Sequence, residues 1–154
     1  MEKHQISDNL STYTGKDFIF NYPCGENVIT IKHADGTSGV RIVGKIDEKV
    51  FFIDIELFPL VGSAKDEITR LSEIKRITVE QESISPTKIT ICNLIGWRYV
   101  YRLFEGGTDY GYLETVMMDT PQGVYRVKMN VPVTYYNRAK ITLNTVLGSL
   151  RFIE

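Results

Sequence analysis

From Tyr135 to Ile153 the chain ends in an amphipathic stretch that puts Tyr136, Ala139, Leu143, Val146, Leu147 and Leu150 on one side of a helix. Such a stripe holds only when another element covers it, because a lone helix of this length is marginal in water. At the other end Phe18, Phe20 and Tyr22 alternate with Ile19 and Asn21, a strand that Pro23 ends because proline cannot donate to a ladder. Between these signatures lie about seven strand-like runs and one further helix. The two ends speak of fold and not of chemistry.

A chain of 154 residues suits one domain that removes roughly two thirds of its unfolded surface from water without staples. Apolar residues at 43% and charged residues at 24% are globular values. The formal net charge of -1 argues against a nucleic-acid binder, which needs a strong basic excess. Charge is uneven, however: from Arg98 onward seven Lys or Arg face five acids, and before it eleven face fourteen. No apolar run is long enough to span a bilayer, and Met1 to Gln5 lack the pattern of a signal peptide. As written the chain reads as soluble and cytoplasmic, with an extracytoplasmic lipoprotein open where a leader or lipobox precedes Met1. Cys24 and Cys92 allow at most one disulfide and are read as free thiols, buried or half-buried. Asn9-Leu10-Ser11 matches a glycosylation sequon, which matters only in a secreted eukaryotic chain.

Residues 1–14 are polar and aperiodic and read as a flexible arm, followed by a single domain over 15–154. After the first strand come Val28 to Lys32, then Val40 to Lys45 and Val50 to Phe58 as a hairpin around Asp47-Glu48-Lys49. In its second arm Phe51, Ile53, Ile55 and Leu57 share one face while Asp54 and Glu56 take the other, so the second face is expected to be only partly covered. Ser63 stands three residues before Asp66, a capping-box spacing that starts a helix with Ile68, Leu71, Ile74 and Ile77 inward. That helix should end before Glu82. Three extended runs follow as a meander: Lys88 to Phe104 with a break or bend near Asn93 to Gly96, Tyr110 to Met118, and Val124 to Val131. The fold expected is an antiparallel sheet of about six to eight strands with two main helices.

This order of elements resembles the PsbP and Mog1 group, named for a photosystem II extrinsic subunit and a Ran-binding nuclear import factor. The resemblance spans roughly residues 16 to 153 and is carried by Phe18 to Pro23, Ile95-Gly96-Trp97-Arg98-Tyr99-Val100-Tyr101, Val124-Tyr125-Arg126-Val127, and Val146 to Phe152. It implies an α+β protein, an α/β/α sandwich with a central antiparallel sheet. Proteins that share this fold bind different partners, so no site residue is carried over.

Several letter patterns look like chemistry. Val28 to Thr37 is similar to the first motif of haloacid-dehalogenase phosphatases, but His33 stands where the nucleophilic carboxylate belongs, leaving a plain Asp35-Gly36 turn. Ser72-Glu73-Ile74-Lys75 and Ser85-Pro86-Thr87-Lys88 match a Ser-x-x-Lys spacing, the first mid-way along an exposed helix face, without the companion motifs the chemistry needs. With His4 and His33 the only histidines, a His-rich metal site is ruled out, and nothing beside either cysteine suggests a nucleophilic thiolate. No catalytic residue, metal site or cofactor is therefore expected.

The remaining feature is basic and aromatic. Arg98, Val100 and Arg102 share one face of their strand, with Trp97, Tyr99, Tyr101 and Leu103 on the other; Arg126 and Lys128 alternate with Tyr125, Val127 and Met129. If the strands are neighbours, Arg98, Arg102, Arg126 and Lys128 are expected to form one partner-binding patch, partly neutralised by Glu114, unless they serve as cross-strand ion pairs. The aromatic side is expected under a helix. These features favour a non-catalytic binding or assembly module with an unidentified protein partner; the alternative is a small-molecule or lipid-binding domain with a pocket between helix and sheet.

Overall fold

The computed structural model describes residues 9–32, 38–58, 62–78 and 86–153. The first half of the chain contributes β1 (Leu10–Thr14), β2 (Phe18–Pro23), β3 (Asn27–Lys32), β4 (Ser38–Ile46), β5 (Lys49–Phe58) and helix α1 (Ala64–Thr78). The second half contributes β6 (Thr87–Ile91), β7 (Leu94–Glu105), β8 (Thr108–Thr120), β9 (Gly123–Val131), a 3-10 turn (Val133–Tyr135), helix α2 (Tyr136–Ser149) and β10 (Arg151–Phe152). Seven strands form one antiparallel sheet in the order β3-β4-β5-β9-β8-β7-β6. Helix α1 packs across β7 and β8 on one face, and α2 packs with β2 on the opposite side of the same sheet. The protein is thus the expected α+β sandwich.

Local chemistry explains most of these elements. Ser63 Oγ accepts the Asp66 backbone N–H at 3.1 Å, so the capping spacing starts α1 as expected. Asp47 and Glu48 both take left-handed backbone between β4 and β5, as a two-residue hairpin demands. Cys92 and Asn93 do the same between β6 and β7, so the break expected near Asn93 to Gly96 is a full hairpin turn starting one residue earlier. Asn tolerates that conformation and signals it; Cys does not.

A second, three-stranded sheet in the order β1-β2-β10 lies over the helix α2 side of the core. Residues 10–14, expected to belong to a flexible arm, instead run antiparallel to β2 from Leu10 opposite Pro23 to Thr14 opposite Ile19. Arg151 and Phe152 pair with Ile19 and Phe18 on its other edge, so both ends of the folded chain meet on one strand. Without this pairing β2 would present two edges of unpaired backbone to water. The rest of the arm, residues 1–8, lies outside the described residues.

The main core lies between the large sheet, the small sheet and α2, and includes Phe20, Ile42, Ile53, Ile55, Val127, Met129, Leu143 and Val146. A smaller cluster joins Ala64 and Ile68 of α1 to Tyr99, Tyr101, Met117 and Val124. Ile74 and Ile77 lie in α1, but their side chains fall outside the described residues. Among the described residues no helix is long and apolar enough to cross a membrane.

Gly111 marks where β7 and β8 slip register, beside the shift between Leu103 and Phe104. Its φ is +88°, and a Cβ there would sit 2.2 Å from the Val131 carbonyl oxygen. Gly111→Ala is therefore expected to cost about 2 kcal/mol or more through backbone strain and steric conflict, read as a lower urea midpoint. An unchanged midpoint would show that β8 relaxes freely at this position.

Candidate functional site

The sheet register decides what the four basic residues can do together. Arg98 lies opposite Val116, and Val116 opposite Val127; Arg126 lies opposite Met117, and Met117 opposite Trp97. Cross-strand neighbours share a face, so Arg98 and Arg102 project to the α2 side while Arg126 and Lys128 project to the α1 side. The single patch expected of Arg98, Arg102, Arg126 and Lys128 is not assembled. Each pair instead joins a different set of neighbours.

On the α2 side the centre is Glu114, only 1% exposed. Its carboxylate accepts from Arg98 Nε, from Lys140 Nζ at 2.6 Å and from the Tyr136 hydroxyl at 2.6 Å. Burial alone would push this carboxyl up; the hydrogen bonds from Lys140 and Tyr136, the Lys140 charge and the Arg98 bond outweigh it and hold it below the usual range. Burial and the bond to Glu114 push the Tyr136 hydroxyl up to about 12. Glu114 is therefore the anchor of α2 on the sheet rather than a rim charge. Arg102 bonds Asp109 at 2.8 Å, and Asp109 also accepts the Gly111 backbone N–H, which together hold its carboxyl low. The ion-pair alternative describes Arg98 and Arg102 well.

On the α1 side the helix covers Tyr99, Tyr101 and Met117, with Trp97 and Leu103 packed alongside, so the aromatic side lies under a helix as expected. Among the described residues no helix crosses the outer part of this face, formed by β3, β4 and most of β5, while β9 borders α1 through Val124. There Arg41 makes a two-pronged bond to Asp54 at 2.7 and 2.9 Å and stacks over the Phe52 ring at 4.4 Å. Beside it Arg126 Nη2 bonds Glu56 at 2.9 Å, with its guanidinium 4.9 Å over Phe58. Both carboxylates are buried, whereas Phe52 is 36% exposed, Val50 52% and Ile29 47%. Ile29 is the register partner of Arg41, and Val50, Phe52, Asp54 and Glu56 alternate along one side of β5, so all share this face. An arginine–aromatic strip does exist, centred on β4, β5 and β9. Sequence alternation alone does not single out Arg41 and Phe52; the outward Asp54 and Glu56 are the available signal, once hairpin register sets Arg41 opposite Asp54.

Lys128 lies between the two ion pairs, opposite Asp54 on one strand and Thr115 on the other. Among the described residues it makes no hydrogen bond or ion pair of its own, since Arg41 holds Asp54 and Arg126 holds Glu56. Burial first, and then the Arg126 charge, pushes its ammonium below the ordinary lysine value.

A cleft of about 220 Å³ opens between α1 and the sheet, with Lys128, Arg126 and Thr115 in its lining, smaller than the ~300 Å³ typical of drug-sized ligand sites. A larger space of about 400 Å³ lies where the β1–β2 turn meets the end of the large sheet, against Tyr13, Phe18 and Tyr125. It does not separate helix from sheet. Burial and the charge of Asp17 push the Tyr125 hydroxyl there up to about 12.

The reactive-looking motifs find ordinary places. Ser72 is buried rather than on an exposed helix face, and its hydroxyl donates to the Thr69 carbonyl at 2.8 Å. Cys24 and Cys92 are both exposed, not buried or half-buried as expected, because each sits at a turn; Cys24 Sγ is 3.2 Å from Ser11 Oγ. His4, His33, Asp35 and Ser85 lie outside the described residues. Among the described residues no three His, Cys, Asp or Glu side chains converge as a metal would require.

With the geometry in place, comparison with known proteins identifies the fold. The cyanobacterial PsbP from Synechocystis sp. PCC 6803 is similar over 94% of this chain and 93% of its own, with a TM-score of 0.63 and 16% identity. A Pseudomonas aeruginosa protein of unknown function is similar over 90% of this chain and 96% of its own, with a TM-score of 0.54 and 13% identity. No family model matches the chain, and no curated protein matches it in sequence. The fold is PsbP-like.

Proposed function

We propose that this PsbP-like domain is a non-catalytic binding or assembly module that engages a protein partner through the open half of its sheet. The observation that carries this reading is the strip on β4, β5 and β9, where Arg41 and Arg126 stack on Phe52 and Phe58 beside exposed Ile29 and Val50. Aromatic and arginine side chains are the usual anchors of protein interfaces, and here the paired carboxylates hold them in place. The buried acids Asp54 and Glu56 are both engaged by arginines, so among the described residues Lys128 adds a positive charge to the face without an ion-pair partner. A partner segment carrying aliphatic and acidic residues is complementary to it. Arg98 and Arg102 contribute to this module as structural ion-pair members.

A photo-crosslinking residue at Phe52, compared with one at Ile141 on the outer side of α2, tests the reading in the native lysate. Phe52 is expected to yield a discrete adduct that Val50→Ser and Arg41→Ser weaken together and that moderate salt reduces, with none from Ile141. Adducts equally abundant at both positions, or none at Phe52, would overturn it.

A further inference from the structure

The cleft between α1 and the sheet carries a ligand preference of its own, although its Lys128 also lends charge to the proposed partner face. Three observations converge there. Thr115 is 3% exposed and lines the cleft, and among the described residues its hydroxyl makes no hydrogen bond. Its cross-strand neighbour Lys128 also lines the cleft and, among the described residues, makes no hydrogen bond or ion pair, although the carboxylate of Asp54 is opposite it on the next strand. Both oxygens of that carboxylate are taken by Arg41, and Glu56 is bonded by Arg126. Finally, Arg126 Nε is buried without an acceptor.

The Thr115 hydroxyl and the Lys128 ammonium line this cleft as side-by-side neighbours, and a partly buried ammonium without a counter-ion is unfavourable left alone. Directly paired strand residues have Cβ atoms roughly 5 Å apart, so one small acceptor group can reach both. Glu67 is the single acid among the described lining residues, and Arg70 neutralises it along the helix. Among the described lining residues Lys128 is the one charge without an ion-pair partner, and a single net positive charge matches a monoanion better than a phosphate dianion. The walls, Leu71, Leu113, Met117 and Phe58, are apolar and call for a short hydrocarbon tail.

We propose that this cleft binds a small carboxylate, with Lys128 as its counter-charge, the Thr115 hydroxyl as a hydrogen-bond donor and the apolar walls holding a short aliphatic group. A free short-chain acid and the C-terminal carboxylate of a polypeptide share this chemistry.

The test is an amide-resolved NMR titration of the full chain with sodium butyrate, against butyramide and sodium chloride at matched ionic strength. Butyrate is expected to shift the Leu113, Thr115 and Lys128 amides saturably, while butyramide and chloride leave them unmoved. Lys128→Met should raise the butyrate Kd by at least about tenfold, and Thr115→Val by roughly threefold to tenfold. Lys128→Met removes a desolvated charge, so its melting temperature should equal or exceed that of the wild type, which separates lost binding from lost folding. A hexapeptide ending in free Leu, titrated beside its amide, distinguishes the sources: tighter binding than butyrate by the free-acid form only assigns the cleft to a polypeptide end, and weaker binding assigns it to a free acid. No saturable shift from butyrate or the peptide, equal shifts from butyramide, or an unchanged Kd in Lys128→Met would overturn the proposal.

Discussion

Glu114→Ala is expected to lower the unfolding free energy by about 3 kcal/mol, the cost of leaving partly buried cations without their counter-charge. The carboxylate ties Arg98 on β7 to Tyr136 and Lys140 on α2, and its side chain is wholly buried. Removing it strands two cations, one on the sheet and one on the helix, whereas their simultaneous replacement by apolar residues need not destabilise. Urea unfolding at neutral pH should therefore show a large fall in midpoint for Glu114→Ala and a partial recovery when Arg98→Met and Lys140→Met are added to Glu114→Leu. A midpoint equal to wild type in the single variant would show that the three bonds contribute nothing. The same group sets a pH dependence. Its folded pKa lies below the unfolded value, so its contribution is fully present above the ordinary carboxylate range and is lost as pH falls through the folded value. Wild type should lose stability on acidification more steeply than Glu114→Gln, which has no such proton to bind.

Leu143→Asp is expected to cost about 4–5 kcal/mol, because it empties a packed site and strands a charge among apolar neighbours. Leu143 has no exposed surface and lies on the face of α2 that also buries Ala139 and Val146. The melting temperature should fall by roughly 10–20 °C for a domain of this size. Leu143→Met, which nearly conserves volume, should cost less than about 1.5 kcal/mol. Equal melting temperatures for wild type and Leu143→Asp would show that this face of α2 is not the buried one.

The sequence by itself determined the local elements and the face each residue takes within its own element. Alternation in Phe51, Ile53 and Ile55 against Asp54 and Glu56 marked the two sides of β5, and the Ser63-to-Asp66 spacing marked the start of α1, because period and capping depend only on neighbours along the chain. The 3.6-residue stripe of α2 likewise announced Leu143 and Val146 as core. Cross-strand assembly was not legible. Arg98 and Arg126 each alternate correctly within their strands, but whether they share a face depends on register between strands, and a shift of one residue reverses every side chain. Only the tertiary structure put Arg98 with Glu114 and Lys140, Arg126 with Glu56, and Lys128 beside Thr115. The same holds for β1 and β10, whose short polar or mixed segments carry no period of their own. They are strands because β2 has two edges to pair, and that hydrogen-bonding demand exists only once the rest of the chain has brought both ends of the domain to it.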